Sequence, residues 1–194
     1  MQPLNLAYII SIWRMPTMTN QPITPARKPG KLLKAFRAGM VRRWHSNPDL
    51  ATTVDTLDAH QGRVARILLM LHPNPTAALL RAALTHDDGE AVVGDISGLT
   101  KAKHPETYAL MQVLETKARA DIWGQQPELM NANVLWLRFA DRLDALMWAQ
   151  HHAPHKLSGD GWPEAIKWLI NTAHILIPCN DTRRDIKKLI GGEK

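Results

Sequence analysis

The chain has a single cysteine, Cys179, among its 194 residues. One cysteine excludes an internal disulfide framework and fits a protein of a reducing cytosol. No apolar run approaches the roughly 20 residues that a membrane-spanning helix needs, so we expect no membrane partner and a cytoplasmic location. Clean alternation of apolar and polar residues is almost absent as well, which argues against a β-sheet protein.

Helical patterns dominate what is present. Leu, Ala, Met and seven Trp recur at helical spacing, and a chain of 194 residues is long enough for one domain with a sizeable core. We therefore predict an all-α fold, a compact helical bundle formed by residues 29–194. Residues 1–28 end in a segment with Pro22 and Pro25, and we expect them to form a flexible leader outside the bundle.

The spacing of apolar residues predicts six helices and a short basic helix at the end of the chain. The predicted ranges are residues 31–41, 56–72, 76–86, 105–123, 128–151 and 163–177. Residues 42–48 and 95–103 are predicted to be loops. The apolar faces of the first three helices contain Leu32, Leu33, Phe36 and Met40; Val64, Ile67, Leu68 and Leu71; and Leu79, Leu80 and Leu84.

Positive charge is in excess, with a formal net charge of +6. Such a balance suits either nucleic acid or a small anionic substrate. Lys and Arg are spread along the chain instead of forming one dense stripe, so a nucleic-acid partner is not expected. A non-catalytic nucleic-acid-binding module with a structural metal stays open as a distant alternative.

The dipeptide His86-Asp87, at the end of the third predicted helix, offers an imidazole nitrogen and a carboxylate oxygen to one divalent metal ion. A short proline turn joins the second and third helices, so these helices should be antiparallel neighbours. That arrangement brings His60 to the level of His86. Asp141, on the fifth helix, completes a predicted ligand set of His60, His86, Asp87 and Asp141, which suits Zn, Mn, Fe, Co or Ni.

Other residues near this set suggest catalysis and substrate binding. Glu90 follows Asp87 by three residues and could position a metal-bound water or act as general acid toward the leaving 5′ oxygen. Arg43 and Trp44, after the first helix, could hold a phosphate and form a flat wall beside a sugar or base. Lys101 and Arg138 could add positive charge for a polyphosphate, and Asp144, one turn after Asp141, could orient a metal ligand.

The order His60, His86-Asp87, Asp141 resembles the ligand set of the HD-domain metal phosphohydrolases over residues 31–152. The string from His86 to Asp95, with the upstream Arg43-Trp44, is similar to the bacterial 5′-deoxynucleotidases. It is also similar to the short phage enzymes that hydrolyse dATP to deoxyadenosine and triphosphate. The interval between Trp44 and His60 is slightly longer than in these families, which bears on base and sugar contacts.

This resemblance implies an HD-domain bundle with one divalent transition metal, Zn, Co or Mn, and leaves room for a second divalent ion on the substrate phosphates. It implies that Arg43 contacts phosphate, that Trp44 packs against the deoxyribose, and that Glu90 assists catalysis. An aspartate at the position of Asp95 contacts the sugar or serves catalysis.

The expected activity is hydrolysis of the 5′ phosphoester of a deoxynucleotide, with dATP or other dNTPs as first choice, in a bacterial or phage-infected cytosol. The alternative substrate is a deoxynucleoside monophosphate. A second-messenger phosphohydrolase is a third possibility, but it would leave Arg43 and Trp44 unexplained. We also expect a homo-oligomer.

Overall fold

The computed structural model of the chain describes residues 29–191, and these residues form an all-α fold. The α-helices in chain order are α1 (Pro29–Gly39), α2 (Leu57–Leu71), α3 (Ala77–Ala83), α4 (Glu90–Val93), α5 (Gly98–Lys103), α6 (Pro105–Trp123), α7 (Asn131–His152), α8 (Trp162–Leu176) and α9 (Asn180–Gly191). A 3-10 helix, Pro154–Ser158, joins α7 to α8. The predicted leader, residues 1–28, lies outside the described residues.

The core lies between α2, α7 and α8. Leu68 of α2, Phe139 and Leu146 of α7, and Leu169 of α8 are fully buried. The predicted stripe of α2 packs toward this core, with Val64 and Leu68 buried and its other two members partly buried. Helices α2 and α7 place the candidate ligands His60 and Asp141 beside this core, and well-packed cores tolerate little movement.

The helix predictions are confirmed for the long helices, and α6 has the predicted bounds. The prediction of a loop over residues 95–103 is wrong in part, because Gly98–Lys103 is a helix. Its N-cap is Ser97, whose side chain accepts a hydrogen bond from the Thr100 backbone N–H. This local capping stabilises one helical turn that the weak apolar pattern does not predict.

Two predicted apolar surfaces differ from the structure. Helix α3 ends at Ala83, so Leu84 is not on its inner face and is 49 % exposed. In α1, Leu32 and Phe36 are 72 % and 68 % exposed, and the buried positions are Ala38 and Gly39 instead. The spacing of apolar residues identified a face of α1, but no described element covers it.

The chain turns sharply between α2 and α3, through His72 to Thr76. The two helices contact each other, and their far ends bring His60 and His86 to a ring-centroid distance of 5.4 Å, as the antiparallel arrangement predicts. No helix in residues 29–191 is long and apolar enough to cross a membrane.

Candidate metal centre

Four residues from three parts of the bundle meet at one point. His60 lies in the first turn of α2, and Asp141 lies in the middle of α7. His86 and Asp87 lie in the turns between α3 and α4, not on a helix as predicted. One ligand atom from each of the four residues lies within 4.8 Å of all the others.

The four ligand atoms are His60 Nε2, His86 Nε2, Asp87 Oδ2 and Asp141 Oδ1. His60 Nε2 is 3.4 Å from Asp87 Oδ2 and 3.2 Å from Asp141 Oδ1. His86 Nε2 is 3.3 Å and 3.9 Å from the same two oxygens. Ligands about 2.0–2.1 Å from a tetrahedral ion are separated from one another by about 3.3 Å, so these spacings suit a small divalent cation.

The hydrogen bonds on the other side of each ring fix which nitrogen faces the centre. His60 Nδ1 lies 2.6 Å from Asp144 Oδ2, and His86 Nδ1 lies 2.9 Å from the Ala83 carbonyl oxygen. Both oxygens are acceptors, so each Nδ1 carries a hydrogen and donates it. In neutral rings, the lone pairs of both Nε2 atoms therefore face the two carboxylates.

Both Nε2 atoms are buried and have no hydrogen-bond partner within residues 29–191. The nearby carboxylate oxygens lie in ion-pair range but outside hydrogen-bond geometry. Two lone pairs and two carboxylates repel one another unless a positive charge lies between them. The donor set therefore fits a divalent metal, which takes imidazole nitrogen and carboxylate oxygen together.

The pKa shifts of His60 and Asp141 also indicate that the site favours a positive charge. Burial lowers the pKa of His60, but the nearby carboxylates of Asp141, Asp144 and Asp87 outweigh this effect and raise the pKa to about 10. Burial raises the pKa of Asp141, yet the two histidines hold it well below its usual range. A bound metal would satisfy the same electrostatic demand with both rings neutral.

A network of buried charges supports His60 from behind. Asp144 is 3 % exposed, and its Oδ1 accepts a 2.6 Å hydrogen bond from Arg63 Nε. Arg63 also donates to both oxygens of Asp55, at 2.9 and 3.1 Å. Arg43 Nη1 lies 3.1 Å from Asp55 Oδ2 and 3.5 Å from Asp144 Oδ2. We call these five residues, His60, Arg63, Asp55, Asp144 and Arg43, the His60 network.

The turn that carries the other two ligands is held by Asp88. This residue is 2 % exposed, and its two oxygens accept hydrogen bonds from Gln61 Nε2 at 3.0 Å and from Trp123 Nε1 at 2.5 Å. Arg119 Nη1 donates to the His86 carbonyl at 3.2 Å. Helices α2 and α6 therefore hold the turn from both sides, which orients His86 and Asp87.

Glu90 lies beside the metal ligands, with its backbone N–H donating to the Asp87 carbonyl at 2.8 Å. Its side chain is buried, Lys101 Nζ donates to Oε1 at 3.1 Å, and Oε2 has no partner. Burial raises the pKa of Glu90, and the carboxylate of Asp87 raises it further, to about 8. Glu90 can therefore hold a proton near neutral pH.

Trp44 and Asp95 are joined by a 2.9 Å hydrogen bond from the Trp44 backbone N–H to Asp95 Oδ2. The Trp44 indole N–H donates to Asp55 Oδ2 at 3.1 Å, and the ring stacks on Trp162. Trp44 has φ of 65°, the left-handed region that costs a side-chain-bearing residue of order 1 kcal/mol. These contacts hold the strained residue in one orientation and connect it to the His60 network.

Of the remaining predicted residues, Lys101 is near the site through Glu90, whereas Arg138 is exposed, three residues before Asp141 on α7. Arg138 makes no ion pair with any described residue. His151 and His152 are exposed and lie in the last turn of α7.

The residues of the site that were not predicted include Arg63, Asp55 and Glu115. Arg63 lies three residues after His60, so helical spacing could have indicated it. Asp55 lies just before α2 and looks in sequence like a helix-start residue, although it is fully buried between two arginines. Glu115 of α6, whose Oε1 is buried and unpaired, carries no sequence signal that distinguishes it from other helix acids.

Comparison of the chain with protein-family models, curated proteins and solved structures gives no match.

Proposed function

We propose that the chain is an HD-domain metal-dependent phosphohydrolase that cleaves the 5′ phosphoester of a deoxynucleotide. The supporting observation is the meeting of two buried, unpartnered imidazole nitrogens with two carboxylate oxygens, in the order that resembles that family. With dATP, the favoured substrate, cleavage at the α-phosphorus gives deoxyadenosine and triphosphate.

His60, His86, Asp87 and Asp141 would hold the metal. A divalent metal in such a set supplies Lewis acidity toward a phosphoryl oxygen. The chain contributes the rest by preorganisation: Asp144 and the Ala83 carbonyl fix the two ring tautomers, and Asp88 fixes the turn. Outer partners of this kind commonly contribute a factor of about 10–100 in metal affinity or activity.

Glu90 is the candidate proton donor to the leaving 5′ oxygen. Its side chain is buried, its backbone N–H donates to the Asp87 carbonyl, and its pKa is raised to about 8. A general acid works best when its pKa lies near the working pH. Lys101 holds one oxygen of Glu90 at 3.1 Å and so orients the carboxyl group.

Trp44 and Asp95 are candidates for the sugar-binding side of the site. Both are partly buried, and their hydrogen bond ties the strained Trp44 backbone to the segment that follows α4. A fixed indole wall beside the 2′ carbon would disfavour a ribose, because a hydroxyl there loses space and its water partners.

One observation favours a deoxynucleoside monophosphate as the second candidate substrate. Two of the three cations assigned to phosphate are already paired: Arg43 with Asp55 and Asp144, and Lys101 with Glu90. Their charge is therefore partly compensated before any substrate binds. A triphosphate needs more positive charge than a monophosphate, and Arg138 would have to supply part of it.

A product assay separates these possibilities. The full chain, loaded in turn with Mn²⁺, Co²⁺ or Zn²⁺, is incubated with dATP, dAMP and ATP. Triphosphate from dATP supports the first candidate, and phosphate from dAMP with none from dATP supports the second. No turnover with any metal and nucleotide would refute the proposed function.

A further inference from the structure

Helix α6 packs directly on the turn that carries two of the metal ligands. A Cβ atom added at Gly89 would lie 2.2 Å from the Glu115 carbonyl oxygen and 2.7 Å from its Cα, so the two backbones touch. One turn later, Arg119 donates to the His86 carbonyl at 3.2 Å, and one turn beyond that Trp123 donates to Asp88 at 2.5 Å. Glu115 is therefore at the end of a row of α6 side chains along the site.

The Glu115 side chain has an unsatisfied hydrogen-bond acceptor. Its Oε1 is buried and has no hydrogen-bond partner among the described residues, although the residue as a whole is partly exposed. Burial raises the pKa of Glu115, Lys101 lowers it, and Asp87 raises it, so the carboxyl group senses charges of the site. A buried carboxylate oxygen without a donor is uncommon and costs free energy until a donor arrives.

We propose that Glu115 is a specificity-determining residue that accepts a hydrogen bond from the nucleoside part of the substrate. This inference rests on the proposed function. The phosphate groups cannot be the partner, because they are anionic acceptors and a carboxylate repels them. The donors that a deoxynucleotide offers are the 3′-hydroxyl of the sugar and the amino group of the base, and either satisfies a carboxylate oxygen.

The same feature separates Glu115 from Glu90, the other acid with an unpartnered buried oxygen. Glu90 is bound by Lys101, and its backbone is bonded to a metal ligand, which suits a role at the reacting phosphate. Glu115 contacts the same turn from α6, and no ion pair or hydrogen bond holds its side chain among the described residues. Its carboxylate is therefore free to select a ligand.

The test compares three nucleotides in three proteins. The nucleotides are dATP, 2′,3′-dideoxyATP, which lacks the 3′-hydroxyl, and 2′-deoxyribosylpurine triphosphate, which lacks the amino group. The proteins are the wild-type chain, Glu115→Met, which removes the acceptor at similar volume, and Glu106→Gln, a control at an exposed acid of the same helix. Steady-state constants are measured together with metal content and with competitive inhibition by the three corresponding nucleosides.

We expect Glu115→Met to raise the KM for dATP and the inhibition constant of deoxyadenosine by about 10- to 100-fold, the range for a hydrogen bond to a charged group. For the analogue that lacks the donor bound by Glu115, the KM of Glu115→Met should equal that of the wild type. The identity of that analogue then shows whether the donor belongs to the sugar or to the base. Glu115→Gln, measured as a fourth protein, keeps an acceptor oxygen and should restore part of the affinity, and metal content should not change in any variant.

Unchanged constants in Glu115→Met, with active enzyme, would overturn the inference and leave the proposed function standing. An equal loss for all three nucleotides would also overturn it, because it would show that Glu115 only supports the packing of α6. A wild-type chain that turns over no nucleotide would refute the proposed function and this inference with it.

Discussion

The two sides of the candidate site differ in how completely their polar groups are paired. In the His60 network, carboxylates and guanidinium groups are matched, and Arg63 alone bridges Asp55 and Asp144. We call the side formed by α4 to α6 the Glu90 side and define it by Glu90, Lys101 and Glu115. Two buried carboxylate oxygens on this side, Glu90 Oε2 and Glu115 Oε1, have no hydrogen-bond partner among the described residues.

This difference in pairing suits two different roles for the two sides. A matched network orients His60 and resists change, because breaking a buried pair leaves an uncompensated charge. Unpaired acceptors have the opposite property: they reserve bonding capacity for a group that is not part of the chain. We infer that the His60 network serves the metal and that the Glu90 side serves the substrate.

The largest effect is expected at the ligands that both sides share. We predict that His86→Ala or Asp87→Ala abolishes bound metal and turnover while the bundle stays folded, because both residues lie in a turn outside the main core. Metal analysis and circular dichroism of the purified variants measure this. His152→Ala, at an exposed position of α7, is the control. Stoichiometric metal with full activity in either variant would refute the site.

The next effect isolates the Glu90 side. Glu90→Gln should keep the metal and slow turnover by roughly two to four orders of magnitude, the usual range for loss of a general acid-base group. Metal content and the rate at saturating substrate are measured on the same sample, with Glu106→Gln as a matched control. A variant as fast as the wild type would show that Glu90 takes no part in the reaction.

A smaller effect is expected in the His60 network. Asp144→Asn removes the charge that holds His60 Nδ1–H and Arg63, so metal affinity should fall by about 10- to 100-fold. Competition with a chelator measures the affinity, and Asp185→Asn at an exposed position of α9 is the control. Equal affinity in Asp144→Asn and wild type would mean that His60 is oriented by packing alone.

The smallest effect concerns sugar selection, where the two sides meet. Trp44→Ala should lower the ratio of kcat/KM for dATP to kcat/KM for ATP by about tenfold. It should also weaken the binding of dATP, because the contacts between the sugar and the indole ring are lost. Trp44→Phe keeps a ring but loses the indole N–H that binds Asp55, so it separates the wall from the hydrogen bond. A wild-type ratio near one, or a large ratio that Trp44→Ala leaves unchanged, would contradict this role.

The periodic apolar pattern was sufficient to predict the all-α class and the long helices, because a helix that buries one face must repeat it at helical spacing. The short turn that makes α2 and α3 antiparallel neighbours was sufficient to predict that His60 lies near His86 and Asp87, whereas Asp141 was added to the set through the family resemblance alone. Asp144 was predicted from its position one turn after Asp141, and its carboxylate does bind the His60 ring. Local spacing is enough when the partners share a helix or a tight connection.

The tertiary structure alone decided the rest. Asp55 and Arg63 are charged residues that a sequence pattern places on the surface, and only their mutual pairing makes burial tolerable. The exposure of the apolar face of α1 depends on which elements pack against it. The spacing of apolar residues identifies such a face but does not predict which element, if any, covers it. Gly89 allows the backbone of α6 at Glu115 to approach the turn that carries His86 and Asp87, a contact between residues 26 positions apart that no local pattern encodes.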